Sequence, residues 1–209
     1  MPRAPRVLAG CAVLAAIAAG CGSTGSPRHF VGQASGATPP ASSGAAAGAL
    51  SAEAKSAATG DIPDNQVFLT YRNPTGGYQM SYPEGWTIKA RGAEATISDK
   101  NNIVRIVIGK GGPPSGTAVS AELARLKRSS PTLSFSAPIQ IHVKAGRAVK
   151  ASYSTRSAPN PVTGKQVLLL VDRYELGQGG KLATVDLGTP KGVDNVDAYR
   201  MMINSFRWL

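Results

Sequence analysis

The chain has 209 residues, with 23 Lys and Arg against 12 Asp and Glu, a formal net charge of +11, 24 Gly, 15 Pro and only 6% aromatic residues. That length holds one domain of ordinary size, with or without a tail. The 2 cysteines, Cys11 and Cys21, exclude a disulfide-dense scaffold and a four-thiolate zinc centre, and 2 histidines with no cysteine beyond Cys21 argue against a His/Cys metal centre.

Residues 1–20 read as an export leader. Arg3 and Arg6 make a positive start, and residues 7–20 are apolar or small throughout. That stretch is shorter than the roughly 20 residues that span a bilayer, and it has the n-region and h-region of a signal peptide. Leu14-Ala15-Ala16-Ile17-Ala18-Ala19-Gly20-Cys21 resembles a bacterial lipobox, so Cys21 is the expected lipidation site and the mature N-terminus. Leu8-Ala9-Gly10-Cys11 matches the lipobox letters better, but a cut there leaves an h-region too short to engage export. The plainer alternative is a secreted protein with a free Cys21 thiol. A lone exported cysteine is otherwise an oddity, which favours the lipid. Loss of residues 1–20 removes Arg3 and Arg6 and leaves a formal charge of +9.

Residues 21–66 read as a tether. From Gly22 to Gly60 nearly everything is Gly, Ala, Ser, Thr or Pro, and the only charges are Arg28, Glu53 and Lys55. Such a segment cannot bury enough surface to offset its chain entropy. As a Gly-rich coil its r.m.s. reach is on the order of 35 Å. His29-Phe30 is read as part of that solvated linker.

Residues 67–209 carry the pattern of a folded domain. Short strands are predicted at 67–71, 78–82, 86–89, 95–98 and 103–108, the last interrupted by Arg105. Pro83-Glu84-Gly85 turns the chain and 109–116 is a loop. Thr117 can cap a helix with Val119, Leu123 and Leu126 on its apolar face, Arg125, Lys127 and Arg128 in its last turn and Pro131 beyond. Strands at 139–144 and 148–153 flank Ala145-Gly146-Arg147. A long strand at 166–176 turns at Gly177-Gln178-Gly179-Gly180 into another at 182–187. Thr189-Pro190 reads as the start of a second helix, with Val196, Tyr199, Ile203 and Phe206 as its buried stripe. Neighbouring strands joined by short turns exclude a doubly wound parallel sheet. The fold class is α+β: one central antiparallel β-sheet flanked by helices.

Gly77-Tyr78-Gln79-Met80-Ser81-Tyr82-Pro83-Glu84-Gly85-Trp86 resembles the opening of PsbP-like domains, in which a strand ends in Tyr-Pro and a Trp follows. The late apolar strand, the glycine hairpin and the closing Ser205-Phe206-Arg207 are similar to that family's second half. The resemblance implies an α/β/α sandwich. It also implies a role in binding and assembly, since the family includes extrinsic proteins of the oxygen-evolving complex, a Ran-binding protein and bacterial lipoproteins. No partner-binding or metal-binding residue transfers with it. The Tyr-Pro…Trp motif itself reads as structural, with Trp86 buried against Tyr82.

Catalytic patterns are sparse. There is no Gly-x-Ser-x-Gly, Ser-x-x-Lys or His-Glu-x-x-His. His142, the one histidine of 67–209, sits mid-strand and reads as ordinary. Gly109-Lys110-Gly111-Gly112-Pro113-Pro114 lacks the Gly-Lys-Ser/Thr ending of a phosphate loop, and its prolines remove amide donors. Asp172 and Glu175 are three apart on a strand and face opposite ways. Asp194 and Asp197 read as dipole partners of a helix start, and with Asp186 they fit no EF-hand loop. No cofactor, metal or catalytic residue is expected. Residues 67–209 hold 19 Lys and Arg and 9 Asp and Glu, dispersed in short groups. The expectation is a non-catalytic lipoprotein on the extracytoplasmic face of the cell membrane, held by lipid on Cys21, that binds a protein partner or assists envelope assembly. The alternative is a module for a ligand or an anionic envelope polymer. Nucleic acid is not an expected partner of an exported chain.

Overall fold

A computed structural model describes residues 59–209 and, ahead of them, Gly48, Ser51, Ala52 and Lys55. The expected leader, Cys11, Cys21 and His29 lie outside the described residues. No helix among the described residues is long and apolar enough to cross a membrane.

In chain order the elements are β1 (Phe68–Asn73), β2 (Tyr78–Pro83), β3 (Thr87–Arg91), β4 (Glu94–Asp99), β5 (Asn102–Lys110), α1 (Gly116–Ser129), β6 (Ser134–Phe135), β7 (Ile139–Val143), β8 (Gly146–Arg156), β9 (Leu168–Gln178), β10 (Lys181–Pro190), α2 (Val196–Ser205) and β11 (Arg207–Trp208). The large sheet runs β3-β4-β5-β10-β9-β8-β6, with β7 also on β8, and a small one runs β1-β2-β11. Every pairing is antiparallel. Gly179 and Gly180, at φ 59° and 76°, make the two-residue turn that joins β9 to β10. Positive φ at both positions is what such a turn requires.

The main core lies on the inner face of the large sheet. There Val104, Ile106, Val185 and Leu187 meet Tyr78 and Met80 of β2, Tyr199, Met202 and Ile203 of α2, and Phe206. The Tyr78 and Phe206 rings stack at 5.7 Å, and Trp208 meets Phe206 edge-on at 5.3 Å. On the outer face, Val119 and Leu123 of α1 pack on Val149 and Ala151 of β8.

Several expectations change. The strands form two sheets instead of one, because β2 has both edges taken, by β1 and β11, and leaves β3 to pair with β4. A sheet flanked by helices overstates the helical part. Residues 60–209 hold far more strand than helix, each face of the large sheet carries one helix, and α2 shares its face with the small sheet. Thr189-Pro190 closes β10, paired with Leu170 and Leu169, and α2 begins only at Val196. Pro190 falls beyond Gly188, where pairing with β5 stops, a sheet position that tolerates a missing N–H. Val196 is therefore exposed, and Met202 takes its place in the buried stripe.

The boundary at 66/67 also moves. The Ile62 N–H donates to Asn195 Oδ1 at 2.8 Å, the Gly60 carbonyl accepts from the side-chain amides of Asn102 and Asn195, and Ile62 packs on the main core. Residues 60–66 thus belong to the domain. Their backbone polar groups are satisfied by buried asparagines, a contact that composition alone does not reveal.

Candidate functional site

The outer face of the large sheet is built from cross-strand rows. Register places Lys89, Thr96, Arg105, Asp186, Arg173 and Ala151 directly opposite one another across six strands. The row on one side holds Ile103, Gly188, Val171 and Tyr153, and the row on the other holds Val107, Thr184, Glu175 and Val149. Helix α1 covers the β8 end of these rows. At the other end Lys89, Arg91 and Arg105 are exposed. Along the helix edge runs a cleft of about 540 Å³.

Arg173 anchors the covered end. Its side chain is buried at 4% exposure, and its Nε and Nη2 donate to Asp186 Oδ1 and Oδ2 at 2.7 and 2.8 Å. Its Nη1 donates to Glu122 Oε1 of α1 at 2.9 Å. The Tyr153 ring lies 5.5 Å from the guanidinium. Burial disfavours the Arg173 charge, but the hydrogen bonds and charge of Asp186 outweigh it and hold the guanidinium above its ordinary range. The Tyr153 hydroxyl is pushed up to about 12, mainly by burial. Glu175 is buried in the same layer, and its Oε2 has no hydrogen-bond partner. Burial pushes its carboxyl up, and Glu122 and Asp186 add to the rise against a pull from Arg173. The bidentate pair and the third bond from α1 clamp the helix to the sheet.

The rim of the cleft is cationic. Arg125 of α1, Arg156 at the end of β8 and Arg105 of β5 all line it. Arg105 reaches Glu94 at 3.9 Å, a long and exposed ion pair. Glu122, Arg125, Leu126 and Ser129 recur at i, i+3, i+4 and i+7, so one stripe of α1 faces the cleft. Among the described residues no group of three or more His, Cys, Asp and Glu can hold a metal ion.

No family model matches the chain, and no curated protein matches it. Among solved structures the chain is similar to cyanobacterial PsbP (CyanoP) from Synechocystis sp. PCC 6803, at 16% identity over 72% of this chain and 98% of that one, with a TM-score of 0.48. It is also similar to a crystal structure from Bacteroides thetaiotaomicron VPI-5482, at 13% identity over 67% of this chain and 48% of that one, with a TM-score of 0.45. A third is the Ran-binding protein Mog1p of Saccharomyces cerevisiae, at 10% identity over 68% of this chain and 95% of that one, with a TM-score of 0.43. The first of these is a PsbP protein.

The residues singled out in the sequence are scattered. His142 lies exposed on β7 opposite Arg147, while Ile141 and Val143 turn to the core. Gly109 and Lys110 extend β5, and the Gly111 N–H donates to the Gly180 carbonyl at 3.1 Å, so this backbone closes a hairpin end. Asp172 and Glu175 do face opposite ways. Asp172 pairs with Lys150 at 2.7 Å on the inner face and accepts from the Ser152 hydroxyl. Burial pulls Lys150 down, but Asp172 and Tyr174 outweigh it and hold the amine cationic, so Lys150 is no base for Ser152. Asp197 pairs with Arg200 at 2.8 Å and Asp194 accepts from the Val196 N–H, while Asp186 is committed to Arg173 on the outer face. The three aspartates do not converge. The clamp of Glu122, Arg173 and Asp186 escaped the sequence reading. Its signal was a charge in the middle of each of two largely apolar strands.

Proposed function

We propose that the protein is a lipoprotein of the cell envelope: a non-catalytic binding module of the PsbP-like, α/β/α kind, held on the extracytoplasmic face of the membrane by lipid on Cys21. Its work is to bind a partner or assist assembly there. Of the occupants expected from the sequence, a protein partner and an anionic envelope polymer or ligand, the second is favoured. The observation that carries this choice is the open outer face. Lys89 and Arg91 stand exposed beyond the reach of α1, and Arg105, Arg125 and Arg156 continue the charge along the cleft. Cations grouped on one face raise the local concentration of a polyanion and steer it in.

The non-catalytic reading is supported by the dispersal of the chemistry-bearing groups. His142 has no acid or serine bonded to it among the described residues, and the Lys150–Ser152 neighbours are both committed to Asp172. The test is co-sedimentation of the purified chain with teichoic acid across a salt series. Binding should weaken steeply as ionic strength rises, and Lys89→Ser with Arg91→Ser should weaken it further. Binding that is absent at low salt, or that ignores salt, would overturn the polyanion reading and return the protein partner to first place.

A further inference from the structure

The cleft has a composition that the open face lacks. Its floor is apolar where Ile103 and Val171 line it, and Leu133 and Leu169, both buried, extend that apolar lining. Gly188 lies between them in register, and a Cβ there would stand 2.9 Å from Ile103 Cγ2 and 3.3 Å from Val171 Cγ2, so the two apolar side chains close over the glycine and meet. Guanidinium groups line the same cleft. Arg125 and Arg156 are exposed and have no ion-pair or hydrogen-bond partner among the described residues, and Arg105 has only its long contact to Glu94. The other charges of the cleft are spent, since Arg173 takes both Asp186 and Glu122.

An apolar floor and uncommitted guanidinium groups in one cleft fit one chemistry. We infer that the cleft between α1 and the outer face is a binding site for a single anionic amphiphile, its phosphate or carboxylate head on Arg125 and Arg156 and its apolar tail along Ile103, Val171 and Leu169. A volume of about 540 Å³ suits a small ligand, and small-ligand sites combine an apolar lining with a few placed polar groups. Guanidinium groups match the fork of a phosphate or carboxylate, and they are less strongly hydrated than ammonium groups. The Glu122–Arg173–Asp186 clamp fixes the helix that forms one wall, so the site stands open without ligand. This inference deepens the envelope-binding reading and rests on the same outer face. It adds a defined pocket, a defined head group and a one-to-one stoichiometry.

The head group can belong to a free amphiphile or to a lipid within a bilayer, and two arms separate these sources. In the first, octyl phosphate below its micellar range is titrated into the purified full-length chain by calorimetry, with octyl glucoside as the neutral-headed control. One-to-one binding of octyl phosphate, at least about tenfold tighter than octyl glucoside, is expected. The double variant Arg125→Ser/Arg156→Ser should lose that preference, and Arg147→Ser, exposed at a hairpin end away from the cleft, should keep it. Both cleft arginines are exposed and unpaired, so their removal leaves folding intact, and Arg125→Lys/Arg156→Lys checks this by partial rescue. In the second arm the chain is sedimented with phosphatidylglycerol vesicles. Pelleting that depends on the same two arginines assigns the head group to a bilayer lipid. Octyl phosphate binding without such pelleting assigns it to a free ligand. Equal affinity for the two octyl compounds, or a double variant that binds octyl phosphate as the native chain does, would overturn the cleft site. Teichoic acid binding that survives either of those results would leave the broader envelope-binding reading in place.

Discussion

Arg173 shows how a buried charge is held in this fold. It is nearly inaccessible, and it is satisfied by the three hydrogen bonds it donates to two carboxylates. Removing Asp186 takes away two of those bonds and leaves the buried guanidinium held by Glu122 alone, and breaking a buried pair costs about 3–5 kcal/mol. Asp186→Ala is therefore expected to lower Tm by on the order of 10 °C. Replacing both partners, as Arg173→Met with Asp186→Leu, should recover most of that loss, because well-packed apolar groups commonly match a buried pair. Thermal melts of the single and double variants check this, and a double variant as unstable as the single one contradicts it. Glu175 gives a second prediction with a defined sign. Its carboxyl holds a proton more tightly folded than unfolded, so unfolding releases that proton at any pH between the two values. Stability from this group is therefore complete below the ordinary Glu range, near pH 4.3, and is lost as pH rises through the folded value. Glu175→Gln should flatten that part of the profile, as read by urea midpoints from pH 4 upward. Parallel profiles for the two proteins would contradict it.

Among the elements, those with local signals were legible in the sequence. Alternation marked the strands of Tyr78–Pro83 and Thr87–Arg91, the glycine pair marked the β9–β10 turn, and the spacing of Val119 and Leu123 marked α1. What escaped depends on distant partners. β6 and β11 are two residues each and exist only because β8 and β2 offer free edges. Thr189-Pro190 carries a good helix-start signal, yet Thr189 is held in a buried network with Asn102 and Asn195, and tertiary contacts override the local preference. The outer-face cluster failed to show for the same reason, since it requires the register of six strands and the seat of one helix. Asn195 also ties residues 60–62 to the domain. Asn195→Ala removes the acceptor of the Ile62 N–H and one donor to the Gly60 carbonyl. It should free 60–66 for limited proteolysis at about 1–3 kcal/mol of destabilisation while the sheets stay folded. Unchanged cleavage of that segment would show that other contacts hold it.

For the molecule as a whole, charge and layout combine. The large sheet turns one face to the main core and the other to a single helix that covers only part of it. The uncovered part keeps exposed cations that a second covering helix would have hidden. In the proposed reading this half-covered sheet is the working surface, and the tether gives it room to act away from the membrane. A chain that is never exported would meet neither an envelope polymer nor an outer-leaflet lipid. The anchor is therefore the central claim. The most direct measurement is the intact mass and membrane partition of the full-length chain made in a lipoprotein-processing host, beside Cys21→Ala. A diacylglycerol-sized increment on Cys21, with the native chain in the membrane fraction and neither feature in the variant, is the predicted result. An unmodified native chain that partitions as the variant does would contradict the account.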